Sequence, residues 1–247
     1  MKSILFVSLI SLSATACIDQ VDDDQVDTTD VARLAANGLS PGQIQVTTLD
    51  SAALTGAGIT SIAATSDGRM FLNYLVGCAL NSSQSLTTTG GTPYTFTGSL
   101  GLATNWTSGA LSGPDRRWVS ACMLARANNS GTAVNLSMRG THGQLFLSGE
   151  STYGLQEGTY YGDIFFGGAG RNSCADPDVI NRPAFGALKT RVCAYSDNGV
   201  GTPTPCGFTY AGTCATTCSF TSPNYTTCTD ASGNAWTEVI KVNLFGT

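Results

Sequence analysis

Two stretches of the chain carry the apolar spacing of helices. Between residues 67 and 80, Phe71, Leu75 and Cys78 recur at i, i+4 and i+7, and Leu72, Val76 and Ala79 widen the stripe. Ser66 or Asp67 offers a polar cap at the start, and Asn81-Ser82-Ser83 breaks the pattern. Between 114 and 127 the same stripe returns as Trp118, Cys122 and Ala125. Pro114 suits a first helical turn, Asp115 complements the helix dipole, and Asn128-Asn129-Ser130-Gly131 ends the run. Elsewhere the period is two. Tyr94 and Phe96 alternate with threonines, and short runs at 133–138, 144–147, 159–166, 189–195 and 236–245 read as strands. Along 159–166 the alternation sets Tyr160, Gly162, Ile164 and Phe166 on one face and Tyr161, Asp163 and Phe165 on the other. The pattern predicts an α+β fold: two amphipathic helices packed on a mostly antiparallel sheet, with a disulfide-rich, irregular C-terminal third.

Ahead of this region the hydropathy changes character. Lys2 precedes a short apolar run, Ile4 to Leu12, too short to span a bilayer. Ala14-Thr15-Ala16 follows as a small-residue cleavage site, with Cys17 directly after it. The arrangement resembles a bacterial lipoprotein signal, although Ala14 stands where leucine is more usual. Two readings are open: lipidation of Cys17, or ordinary cleavage that leaves it a thiol. Cysteine parity favours the first, because removing Cys17 from the nine cysteines leaves an even set of eight. Residues 1–16 are then a signal peptide, with the membrane as partner through the N-terminal lipid. Ile18 is not the aspartate of inner-membrane retention, so resemblance to Gram-negative lipoproteins implies the outer membrane or cell surface. Six aspartates between Asp19 and Asp30 meet no base, so residues 17–45 read as lipid attachment plus an acidic, flexible tether. Residues 46–247 read as one disulfide-stapled globular domain.

Charge narrows the partners. From Asp67 onward ten acids face ten bases, eight of them arginine, so no basic stripe exists to neutralise phosphates and nucleic acid is not expected. No cofactor-binding motif stands out.

The eight remaining cysteines are Cys78, Cys122, Cys174, Cys193, Cys206, Cys214, Cys218 and Cys228. Export favours disulfides. Cys78 and Cys122 lie on the inward stripes of the two helices and are expected to pair. Cys214 and Cys218, spaced C-x3-C, admit zinc, but the chain has only one histidine to help and oxidising conditions disfavour free thiolates. That histidine, His142, lies between Gly140 and Gly143 and reads as an exposed turn residue. Asp176 and Asp178 read as a proline-rigidified turn rather than a calcium loop.

The acids of the 150–166 stretch are the remaining chemistry. Glu150, Glu157 and Asp163 stand among Tyr153, Tyr160 and Tyr161, and a glycosidase needs two carboxylates plus aromatic faces. Glu157 reads as a hydrated residue of a Gly-bounded turn with an ordinary pKa, which disfavours that chemistry. Tyr153, Glu157, Tyr161 and Asp163 are expected to form at most a shallow ligand surface. Taken together, RMFLNYLVGCAL, RRWVSACMLARANNSG and YGLQEGTYYGDIFF resemble uncharacterised, cysteine-containing bacterial surface lipoproteins. The resemblance spans about Arg69 to Phe166 and implies an address and disulfides, with no activity. The expected function is a non-catalytic secreted cell-surface lipoprotein, a binding or structural module for a glycan or protein ligand. The alternative is a secreted glycan hydrolase using the Glu150, Glu157 and Asp163 region.

Overall fold

The computed structural model describes residues 34–36, 39–44, 48–130, 134–145, 152–166, 170–182, 186–191 and 193–246. The signal region, Cys17, the aspartate run and Glu150 lie outside the described residues.

The two long helices form where the stripes place them. A one-turn helix α1 (Gly56–Ile59) precedes α2 (Ser66–Ala79). Thr65, one residue ahead of the expected cap, accepts the Gly68 N–H on its hydroxyl at 3.0 Å. Helix α2 buries Phe71, Leu72, Leu75, Val76, Cys78 and Ala79. Its last carbonyls are met by a loop: the N–H groups of Leu100, Leu102 and Ala103 donate to Gly77, Cys78 and Ala79 at 2.8, 3.1 and 2.8 Å. Helix α3 (Gly113–Ala125) starts at Ser112, whose hydroxyl accepts the Asp115 N–H, with Pro114 in the first turn. A disulfide joins Cys78 of α2 to Cys122 of α3, the pairing the two stripes require.

Eleven strands are described. The main sheet has the order β1-β4-β11-β5-β6-β7. Its members are β1 (Leu34–Ala36), β4 (Asn135–Arg139), β5 (Leu155–Gly162), β6 (Arg171–Ala175), β7 (Thr209–Thr213) and β11 (Val239–Leu244). Every pairing in it is antiparallel except β6 with β7. A hairpin of β2 (Ser85–Thr87) and β3 (Thr95–Thr97) sits apart. A second sheet combines β8 (Cys218–Thr221), β9 (Asn224–Thr229) and β10 (Ala235–Trp236). Three short helices complete the order: α4 (Pro177–Asn181), α5 (Leu188–Arg191) and α6 (Cys214–Thr217).

One face of the main sheet packs its apolar residues with the helices. Leu136, Met138, Leu155, Tyr160, Ile240, Val242 and Leu244 join the helical stripes in the larger core. A smaller core holds Tyr161, Cys174, Ala211, Cys214, Tyr225, Cys228 and Val239, drawn from the main sheet and from the β8-β9-β10 side. Strand β5 serves both cores by alternation, Tyr160 entering the larger and Tyr161 the smaller, and its register with β11 shifts once. Gln156 faces Asn243 and Gly158 faces Val242, so Glu157 is the extra residue of a bulge. The bulge lets Leu155 and Tyr160, five positions apart, both enter the larger core.

Several expectations are corrected. The tether does not run to residue 45: β1 pairs with β4 at residues 34–36, and Leu39 and Ile44 are buried. The acids stop at Asp30 and the chain then turns apolar, which lets it join the sheet edge. The 159–166 strand is displaced to Leu155–Gly162 and followed by a 3-10 turn, Ile164–Phe166. The 189–195 strand is absent among the described residues; Leu188–Arg191 is a helical turn. Gln144 and Leu145 lie in a turn, and residues 146–147 fall outside the described set.

Candidate functional site

Glu157 is fully buried and paired. The Arg191 Nε–H reaches both its oxygens, at 2.8 and 2.9 Å, and neither side chain is exposed. The guanidinium lies 5.2 Å from the Tyr160 ring centroid. Its two terminal nitrogens meet no acceptor among the described residues, so Glu157 is its charge partner. Burial pushes the Glu157 carboxyl above its ordinary pKa, against the pull of Arg191. The hydrated turn expected from the sequence is therefore wrong on both counts. Gly158 does not bound a turn; it lets strands approach, since a Cβ there would stand 2.2 Å from the Cys174 carbonyl oxygen.

Asp163 is held separately. Arg116 Nε–H donates to its Oδ2 at 2.7 Å, and its Oδ1 accepts the Phe165 N–H at 3.1 Å, which turns the chain out of β5. The same arginine reaches Asp50 at 3.3 Å and stacks over the exposed Phe166 ring at 4.9 Å. Glu157 and Asp163 are thus neutralised by different arginines on different helices or turns.

The four residues expected as a ligand surface are inside the protein. Tyr153, Glu157, Tyr161 and Asp163 are 6%, 0%, 0% and 5% exposed. Tyr153 packs edge-on to Phe245, and the Tyr161 hydroxyl donates to the Thr229 carbonyl at 3.0 Å. Burial raises the Tyr161 pKa, so the phenol stays neutral.

The aspartates flanking Pro177 are also committed. Asp176 is buried, accepts the Tyr225 hydroxyl at 2.9 Å and lies 3.5 Å from Lys241 Nζ. Lys241 in turn donates to Gln156 at 2.9 Å, and Asp178 accepts the Gln156 N–H at 2.8 Å. Pro177 opens α4 rather than a simple turn.

His142 is half-buried rather than exposed, edge-on to Trp118 at 5.3 Å. Its Nδ1 accepts the Gln144 N–H at 3.1 Å, and burial lowers its pKa. The run Gly38-Leu39-Ser40-Pro41-Gly42 has the G-x-S-x-G spacing of a nucleophile elbow. Ser40, however, sits between an isolated bridge at Leu39 and the 3-10 turn Pro41–Gln43, not between a strand and a helix.

One polar feature opens to the surface without having been singled out by sequence. Arg117 and Glu238 form a two-pronged pair, Nε to Oε2 at 2.6 Å and Nη2 to Oε1 at 3.1 Å. They line a shallow cavity of about 260 Å³ together with Asn234 and Trp236. The partners are 121 residues apart, so no local signal links them.

The cysteines complete the picture. Among the described residues, disulfides join Cys78 to Cys122, Cys174 to Cys214, Cys193 to Cys206 and Cys218 to Cys228. Such a set is consistent with an extracytoplasmic protein. No described helix is long and apolar enough to cross a membrane. Neither a protein-family profile, nor a curated protein, nor a solved structure matches this chain.

Proposed function

We propose that this chain is an exported, lipid-anchored protein of the outer membrane or cell surface, and that its folded unit is a non-catalytic binding or structural module. One observation carries the reading: among the described residues, the two carboxylates of the 150–166 stretch, Glu157 and Asp163, are consumed in structural ion pairs. Glu157 is held by Arg191 and Asp163 by Arg116. A hydrolase needs an acid and a base that reach a substrate from a shared cleft. Here Glu157 has no solvent-exposed surface. The lipid anchor rests on Ala14-Thr15-Ala16-Cys17 and on the pairing of every later cysteine, which leaves Cys17 as the odd one.

Mass spectrometry of the mature protein expressed in a Gram-negative host tests the anchor. The expected N-terminus is an acylated Cys17, and Cys17→Ser is expected to move the protein from the membrane fraction to the soluble one. An unmodified Cys17 thiol would overturn the anchor. The module reading is tested separately by offering the purified protein cell-wall and polysaccharide substrates. No turnover is expected, and hydrolysis lost on Asp163→Asn would establish an enzyme instead.

A further inference from the structure

The geometry points to a tetrathiolate metal site, built from Cys174, Cys214, Cys218 and Cys228, that forms when two neighbouring disulfides are reduced. Four elements deliver these sulfurs to one place. Cys174 comes from β6 and Cys214 opens α6. Cys218 follows at i+4 as the first residue of β8, and Cys228 stands directly opposite it on β9. In the oxidised protein the Cys174–Cys214 and Cys218–Cys228 disulfides abut, with the Cys174 and Cys218 sulfurs 3.4 Å apart. The Cys174, Cys214 and Cys218 sulfurs all lie within 4.8 Å of one another. Thiolates about 2.3 Å from a tetrahedral zinc stand about 3.8 Å apart, close to the spacing of the unbonded Cys174 and Cys218 sulfurs; Cys228, bonded to Cys218 but outside that three-sulfur cluster, supplies the fourth ligand once reduction frees it from Cys218.

The surroundings select a soft cation. Among the described residues, this is the one convergence of three or more histidine, cysteine or acidic ligand atoms, and it contains only cysteines. Tyr161, Ala211, Tyr225 and Val239 pack around it as the smaller core. An all-sulfur set in an apolar shell suits zinc and rejects calcium and magnesium, which take oxygen. Cys218 is half-buried while Cys174, Cys214 and Cys228 are buried, so a reductant has one sulfur to attack first. Each disulfide takes two electrons and two protons from a dithiol, which leaves as its own disulfide. The four thiols then bind one zinc ion and release four protons to solvent, giving a tetrathiolate of net charge −2. The Cys78–Cys122 and Cys193–Cys206 pairs lie elsewhere in the larger core and take no part.

The full chain is reduced anaerobically with dithiothreitol, freed of it by gel filtration, and titrated with cobalt(II) as a spectroscopic stand-in for zinc. One ion per chain is expected, with the thiolate-to-cobalt charge-transfer band and visible spectrum of a tetrahedral site. Zinc should displace the cobalt and bleach the band. Cys174→Ser, Cys214→Ser, Cys218→Ser and Cys228→Ser should each weaken binding at least tenfold or remove the band. The double variant Cys193→Ser with Cys206→Ser should keep it. A parallel titration in denaturing urea, where the four sulfurs are scattered, should lose it. No thiolate band in the reduced wild-type chain, a band that survives Cys174→Ser and Cys218→Ser, or equal affinity in urea would each overturn the site.

Discussion

The Glu157 carboxylate and the Arg191 guanidinium are both withdrawn from solvent, so each is the other's compensation. Losing one partner leaves a buried charge unpaired, at a cost of roughly 3–5 kcal/mol, whereas replacing both with apolar groups of similar volume is often neutral. Arg191→Met, which strands a Glu157 carboxylate that burial already disfavours, is therefore expected to lower stability by about that amount, read as a shift in the urea midpoint with disulfides intact. The double variant Glu157→Leu with Arg191→Met should recover most of the loss. A double variant no more stable than the single one would show that the pair is not the source of the effect. The sequence signal at Glu157 is local and points the wrong way. Glu157 precedes Gly158, and a glycine after a polar pair resembles a turn. The bulge that turns Glu157 inward depends on the register with β11, and the partner arginine is 34 residues away.

At the scale of elements, the turn from β9 to β10 and the start of β11 are organised by carboxylates. Asp230 accepts the N–H groups of Ser232 and Asn234, both at 2.9 Å, and the Trp236 indole N–H at 3.1 Å. Burial pushes Asp230 up, but these hydrogen bonds outweigh it and hold its pKa below the ordinary aspartate value. Glu238 is likewise raised by burial and lowered further by the Arg117 hydrogen bonds and charge, with a net depression. A depressed carboxylate pKa stabilises the fold fully above the unfolded value, about 4, and the contribution disappears as pH falls through the folded value. Glu157 runs the other way, since burial raises its folded pKa. Urea midpoints should therefore fall as pH drops below about 4, and Asp230→Asn with Glu238→Gln should flatten that slope while lowering the midpoint at neutral pH. An unchanged slope would remove these two groups from the account. The helices were legible because their stripes repeat over three turns, enough to outweigh local preference. The 189–195 segment was not: its short alternation suits a strand, but a helical turn at Leu188–Arg191 presents Arg191 to Glu157.

For the whole molecule, the disulfides divide by what they join. Cys78–Cys122 ties the two long helices across 44 residues of sequence, whereas Cys218–Cys228 links neighbouring strands only 10 apart. The first pairing was readable because both cysteines lie on inward stripes that must share a core. The other three pairs were not, since six cysteines admit 15 connectivities and their positions depend on a parallel β6-β7 pairing and on the second sheet. The difference in loop length has a measurable consequence. On the chain-entropy account, a closed loop of that larger size stabilises by about 4 kcal/mol and the smaller by about 3 kcal/mol. Burial adds to the contrast, because Cys78 and Cys122 are both fully enclosed while Cys218 is half-buried. Cys78→Ala with Cys122→Ala should consequently lower the urea midpoint more than Cys218→Ala with Cys228→Ala, with the remaining pairs verified by non-reducing peptide mapping. If the strand-linking pair proves the costlier one, the smaller core rather than the helix pair is where stability is concentrated.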